Sequence, residues 1–114
     1  MMARETLYQT HANRRSTPVP VAQILRFESG DKYVTAHTDA GLQYLLTDRL
    51  QVLEAELAVD FVRLHRGHLV RASMIQRFWH DGGTQGWAEL KDTGTTLPVS
   101  RRHYGRLRRA FSGA

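Results

Sequence analysis

A mainly β domain of about seven to nine short strands and two helices is the fold that this sequence predicts. Three observations carry the prediction. Runs rich in β-branched and aromatic residues, such as "KYVTAHT" and "FVRLH", are short and bounded by Gly, Asp and Ser turn signals. Only "TDRLQVLEAEL" and "SRRHYGRLRRAF" place apolar residues at helical spacing. The chain has 114 residues, 41% hydrophobic and 24% charged, which suits one domain with a core.

The elements follow in order. Met1–Glu5 reads as a frayed end and Thr6–Ala12 as a short strand. "NRRSTPVP" reads as a turn and connector, in which Pro18 and Pro20 exclude helix. Residues 1–17 are therefore taken as a tail or linker containing the first strand, and 18–112 as the domain proper. Val21–Glu28 is a strand and "SGD" a turn. In "KYVTAHT", Tyr33, Thr35 and His37 alternate with Val34, Ala36 and Thr38. "DAG" turns the chain and "LQYLL" returns beside it. The first helix shows Leu50, Leu53 and Leu57 on one face, with Thr47 as the expected N-cap and Asp48 suited to the positive helix start. "FVRLH" is a strand ended by Gly67, and "HLVRASM" a short helical turn. "IQRFW" and "WAELKD" are strands around the loop "HDGGTQG", and "TGT" turns into "TLPVS". Ser100 caps a last helix, Arg101–Phe111, with Tyr104, Leu107 and Phe111 on one face and Arg102, Arg106 and Arg109 on another.

Several function classes are disfavoured. No apolar run approaches the ~20 residues of a membrane-spanning helix, and the first residues lack the apolar centre of a signal peptide. There is no cysteine, hence no disulfide and no thiolate metal site, which fits a cytoplasmic location. His65 and His68 lie three apart, but the arginines around them repel a cation, so no metal is expected. Neither GxxxxGK[ST] nor GxGxxG occurs, and no base is recognisable beside Ser100. The expectation is a protein that is not an enzyme and holds no cofactor.

The charge points elsewhere. The formal net charge is +5, and fourteen of the 16 cations are Arg. Phe61–His80 carries four arginines and no acid, Ser100–Ala114 five and no acid, and the rest of the chain is net negative. A concentrated arginine patch suits a polyanion, and Arg's planar fork matches phosphate oxygens and the guanine edge. In "FVRLHRGHLVR", Phe61, Leu64, Leu69 and Val70 can face a core while Arg63, Arg66 and Arg71 project into water or onto a polyanion. Gly67 permits a tight turn with Arg66 at its tip. "VSRRHYGRLRR" offers a second basic element at a strand–helix junction, whose backbone N–H groups also favour anions. Lys32, at a hairpin shoulder, is a weaker third site. The competing expectation is a small β domain for RNA or single strands, which needs exposed aromatics for stacking.

The order "ILRFESGDKYVTAHT", a leucine-rich helix, "FVRLHRGHLVRASMIQRF", a glycine-rich hairpin and "LPVSRRHYGRL" resembles the LytTR domain, the DNA-binding output module of bacterial response regulators. The likeness runs from about Pro18 to Phe111 and is greatest to the branch that regulates alginate and virulence genes. It implies an elongated, mainly antiparallel β fold of about ten strands in small sheets with two short helices. It also implies that loops, not a recognition helix, enter successive major grooves of double-stranded DNA on a direct-repeat-like operator, with a homodimer on DNA left open. The family's base-reaching positions fall on Lys32, Arg66 and Arg102, and phosphate or flanking contacts on Arg63, His65, Arg101, Arg106 and Arg109. His68 falls where a partly buried filler is expected. The phosphoacceptor receiver domain usual in such two-component regulators is not among these residues.

Overall fold

A computed structural model of the chain describes residues 4–11, 14–82, 85–91 and 94–112. Among them lie ten strands: β1 Thr6–His11, β2 Arg14–Pro20, β3 Ile24–Ser29, β4 Val34–Thr38, β5 Gln43–Leu46, β6 Phe61–His65, β7 His68–Arg71, β8 Ile75–His80, β9 Gly86–Leu90 and β10 Thr96–Val99. Helix α1 is Leu50–Glu56 and helix α2 Arg101–Ser112. The strands form three antiparallel sheets: β1-β2, β5-β4-β3-β7-β6 and β10-β9-β8. The body is elongated, 45 × 30 × 24 Å. The mainly β, small-sheet architecture read from the sequence is the one observed.

The five-stranded sheet divides two cores. On one face Phe27, Ala36 and Leu69, all fully buried, pack with Leu7 and Val19 of the β1–β2 hairpin and with Leu50, Leu53 and Leu57 of the α1 region. On the other, Leu64 and Val70 meet Ile75, Ala88, Leu97, Val99 and Leu107 of the small sheet and α2. Strand alternation lets a central sheet supply both cores, since neighbours along β7, Leu69 and Val70, point to opposite faces and are both buried. At the β4–β5 turn Gly41 takes φ +78°, a conformation that an L side chain resists.

Local readings were revised by the fold. "NRRSTPVP" is not a connector: from Arg14 onward it is β2, paired with β1 in the register Leu7↔Val19 and Tyr8↔Pro18. Proline lacks an N–H, which an edge strand of a two-stranded sheet can spare, and Val19 seals the core. Val21–Gln23 is a 3-10 turn, so the third strand starts at Ile24. "HLVRASM" is split: His68–Arg71 is a strand held between β3 and β6, and only Ala72–Met74 is a 3-10 turn. Thr47 does not cap α1; Arg49 occupies the N-cap without a side-chain bond, while Thr47 Oγ1 lies 3.3 Å from Thr10 Oγ1. Asp48 is drawn instead to Arg4 at 2.8 Å, and Arg4 also bonds Glu56 at 2.6 Å. The Glu5 carbonyl accepts the Val21 N–H at 2.9 Å, so Arg4 and Glu5 are tied down and not frayed.

Candidate nucleic-acid interface

Antiparallel pairing brings the end of β3, the start of β4, the end of β6 and the start of β7 to one end of the central sheet. Two backbone bonds stitch the connecting segments together. The Ser29 N–H donates to the Gly67 carbonyl at 2.9 Å, joining the β3–β4 loop to the β6–β7 turn. The Ser100 N–H donates to the Leu64 carbonyl at 2.8 Å, fixing the entry to α2 beside the end of β6. Lys32, Arg66 and the Arg101–Arg102 pair therefore stand on three tied elements. All four are exposed, as are Arg106 and Arg109, and none donates to an acid among the described residues.

Ser100 caps α2 as read, its Oγ accepting the His103 backbone N–H at 3.4 Å. The same hydroxyl sits 2.5 Å from His103 Nδ1, a neighbour that helical i, i+3 spacing supplies and the linear reading missed. His103 is only 8% exposed and Ser100 is partly buried, and the pair forms the cap of the helix. Burial, aided by the nearby charge of Arg102, pushes the His103 pKa down. The helix is docked by Leu107 in the core and by Tyr104 and Phe111, each with ring centroids 5.6 Å from that of Phe78. At Gly86 a Cβ would come within 2.8 Å of Tyr104, so only glycine allows this approach. The arginines Arg102, Arg106 and Arg109 are left facing outward.

The "FVRLHRGHLVR" segment behaves differently. Arg63 and Arg71 do not project into solvent as expected. Arg71 donates to the carbonyls of Ile24 at 2.9 Å and Val21 at 2.6 Å, and its guanidinium lies 4.6 Å from the Phe61 ring centre. Arg63 donates to the carbonyls of His65 at 2.7 Å and Arg66 at 2.6 Å and to Glu54 of α1 at 2.7 Å. Two of the three arginines thus bond main-chain carbonyls, Arg71 at the 3-10 turn and the start of β3 and Arg63 at the β6–β7 turn. Arg66 is exposed, and its guanidinium donates to no acid among the described residues. Glu54, Arg63, His103 and Arg106 line one cleft, so α1, β6 and α2 meet beside the turn.

The histidines sit behind this edge. His65 is partly buried, its Nδ1 accepting the Gly67 N–H at 3.3 Å, and its ring centre is 6.1 Å from that of His68. His68 is partly buried, in line with a filler role, and its Nδ1 has no partner among the described residues. Burial, with Arg26 and His65 opposing Glu28, pushes its pKa down. Burial and then Arg26 also lower His37, despite its 3.1 Å contact with Glu28. Burial alone would raise Glu28, but the bond from His37 and the charge of Arg26 outweigh it and hold the carboxyl below its usual range. Among the described residues no group of three or more His, Asp and Glu is placed to hold a metal ion, and no helix is long and apolar enough to cross a membrane.

The sequence pattern of the LytTr DNA-binding domain matches residues 14–112. A curated relative, the positive alginate biosynthesis regulatory protein of Pseudomonas aeruginosa, is 37% identical over 93 residues, which is 80% of this chain and 37% of that protein. The chain thus spans little more than a third of that relative's length. Among solved structures, the LytTr DNA-binding domain of a protein described as a methyl-accepting/DNA response regulator from Bacillus cereus superposes with a TM-score of 0.79. That pair is 22% identical and the match covers 96% of this chain and 98% of the other, a likeness of fold.

Proposed function

The chain belongs to the LytTr DNA-binding domain family and binds DNA in transcriptional regulation; from that premise we propose that it reads a double-stranded operator through loops entering successive major grooves. The observation that carries the reading is the edge where Lys32, Arg66 and Arg102, on three stitched backbone elements, are exposed cations that donate to no acid among the described residues. The longest dimension, 45 Å, exceeds the ~34–36 Å of one DNA turn, so one domain is long enough to meet two grooves. Lys32, Arg66 and Arg102 reach base edges. Arg101, Arg106, Arg109 and His65 supply phosphate or flanking contacts, helped by the free N–H groups at the start of α2. The operator is direct-repeat-like and can be shared by two copies of the chain. As the output module of a two-component regulator the domain performs no catalytic step.

Single-strand recognition fares less well, because Phe78 and Tyr104 are engaged in docking α2, and Trp79 lies under Arg77, 4.5 Å from its guanidinium. The test is selection of bound sequences from a random duplex library, followed by competition with the single strands. An enriched motif that single strands do not displace is expected. Absence of duplex binding at ~50 mM salt, where phosphate contacts are strong, overturns the reading.

A further inference from the structure

We propose that Arg63 is a positioning residue for Arg66: its guanidinium holds the β6–β7 turn in the shape that aims Arg66 at a base edge, and does not itself meet DNA. The inference rests on the base-reading role given to Arg66 above. It starts from the shape of the turn. The chain reverses within two residues, Arg66 and Gly67, between the paired His65 and His68, so the carbonyls of His65 and Arg66 belong to the two peptide links that flank Arg66. One planar fork takes both, Nε on His65 O at 2.7 Å and Nη2 on Arg66 O at 2.6 Å. The relative tilt of the two carbonyl groups flanking the Arg66 side chain is then set by a rigid plane.

The third bond makes the fork an anchor. Nη1 donates to Glu54 at 2.7 Å, and Glu54 sits on α1 next to Leu53, which is fully buried. The turn is thereby fastened to the core helix on one side and, through Ser29 N–H to Gly67 O at 2.9 Å, to β3 on the other. The Arg63 side chain is only 13% exposed, and its three directed bonds leave little to offer a phosphate. The Arg66 side chain at the turn is exposed. Preorganising a reader on a rigid support is how specificity is gained without new contacts. A lysine at 63 would keep the charge and lose the fork.

The experiment uses the full chain and an operator selected by it from random duplexes, with every single-base variant of that operator. Arg63→Lys, Glu54→Gln, Arg66→Ala and the Arg63→Lys/Arg66→Ala double variant are compared in affinity, salt slope and thermal midpoint. Arg63→Lys is expected to keep the wild-type salt slope and lose preference at the same base pair as Arg66→Ala, out of the roughly 5- to 150-fold that a bidentate contact supplies. The double variant is expected to discriminate no worse there than Arg66→Ala alone. Glu54→Gln, which leaves a neutral acceptor, is expected to give a smaller loss at that same pair. A uniform loss across all variants with a slope smaller by about 0.9 makes Arg63 a phosphate contact and overturns the proposal. Preference left intact in Arg63→Lys overturns it as well. If Arg63→Lys melts before it can be assayed, Glu54→Gln decides by the same two readouts. Failure of the DNA reading itself looks different: the wild-type chain would show no preferred sequence. The Gly67 amide then serves as the readout in free protein, where faster hydrogen exchange in Arg63→Lys supports the clamp and unchanged exchange overturns it.

Discussion

The two arginine-rich, acid-free stretches, Phe61–Arg71 and Arg101–Arg109, look alike in composition and differ in what the fold asks of them. In the first, Arg63 and Arg71 are bound to four main-chain carbonyls and one carboxylate, and Arg66 is exposed and donates to no acid among the described residues. In the second, Arg101, Arg102, Arg106 and Arg109 are exposed and donate to no acid among the described residues. The difference follows from the backbone. A helix satisfies its own carbonyls one turn away, so side chains on its outer face have nothing local to repair. Where strands meet turns, a carbonyl can take a second donor, and a nearby guanidinium is well shaped to supply it. Equal charge in the sequence therefore becomes scaffold in one place and binding surface in the other.

The largest effect that would break this contrast is on stability. Arg71→Ala removes one donor from the carbonyls of Val21 and Ile24, of which Val21 keeps the Ile24 N–H, and removes the guanidinium over Phe61, and is expected to cost about 1–3 kcal/mol. Arg106→Ala, on the outer face of α2, is expected to stay within ~0.5 kcal/mol of wild type. Urea midpoints of the two variants measure both. Equal midpoints would erase the distinction between scaffold and surface arginines.

The next effect is on salt dependence. If α2 is an electrostatic anchor, Arg106→Ala and Arg109→Ala should each weaken binding to every sequence alike and reduce the slope of log affinity against log salt by about 0.9. A slope unchanged in both variants removes α2 from the phosphate contacts.

A smaller effect concerns protons. His68 and His37 beside the first stretch, and His103 in the second, all have depressed pKa values, with burial the leading cause. A depressed base binds fewer protons folded than unfolded at mildly acid pH. Its stabilising contribution is complete above the ordinary value of ~6.5 and declines as pH falls through the lower folded value. Stability should therefore fall between pH 7 and pH 5, as read by urea midpoints. A midpoint that rises on acidification contradicts the buried placement of these rings.

Much of this molecule was legible in advance. Leu50, Leu53 and Leu57 lie inside because 3.6-residue spacing is a local pattern, and the amphipathic face of α2 was visible for the same reason. The exposure of Lys32, Arg66 and Arg102 also matched their turn and helix settings. What could not be read was which main-chain carbonyls the arginines meet. The bonds of Arg71 to Ile24 and Val21 span 47 and 50 residues and exist only because the strand order sets β7 beside β3. Strand β2 was hidden because proline was weighed against helix formation and not against an unshared sheet edge. Thr47 is not the cap because the helix begins only at Leu50, with Arg49 at the N-cap, while Thr47 meets Thr10 and Asp48 meets Arg4, both far away in sequence.

The measurement that bears most directly on the central claim is the affinity of Arg66→Ala, Arg102→Ala, Arg106→Ala and Arg109→Ala for the full set of single-base operator variants. The account predicts that Arg66→Ala and Arg102→Ala each abolish preference at one base pair, with about 1–3 kcal/mol of discrimination lost, while Arg106→Ala and Arg109→Ala shift all affinities by a common factor. If Arg66→Ala and Arg102→Ala also scale every affinity by one factor, the edge is an electrostatic anchor and not a reader, and the account is contradicted.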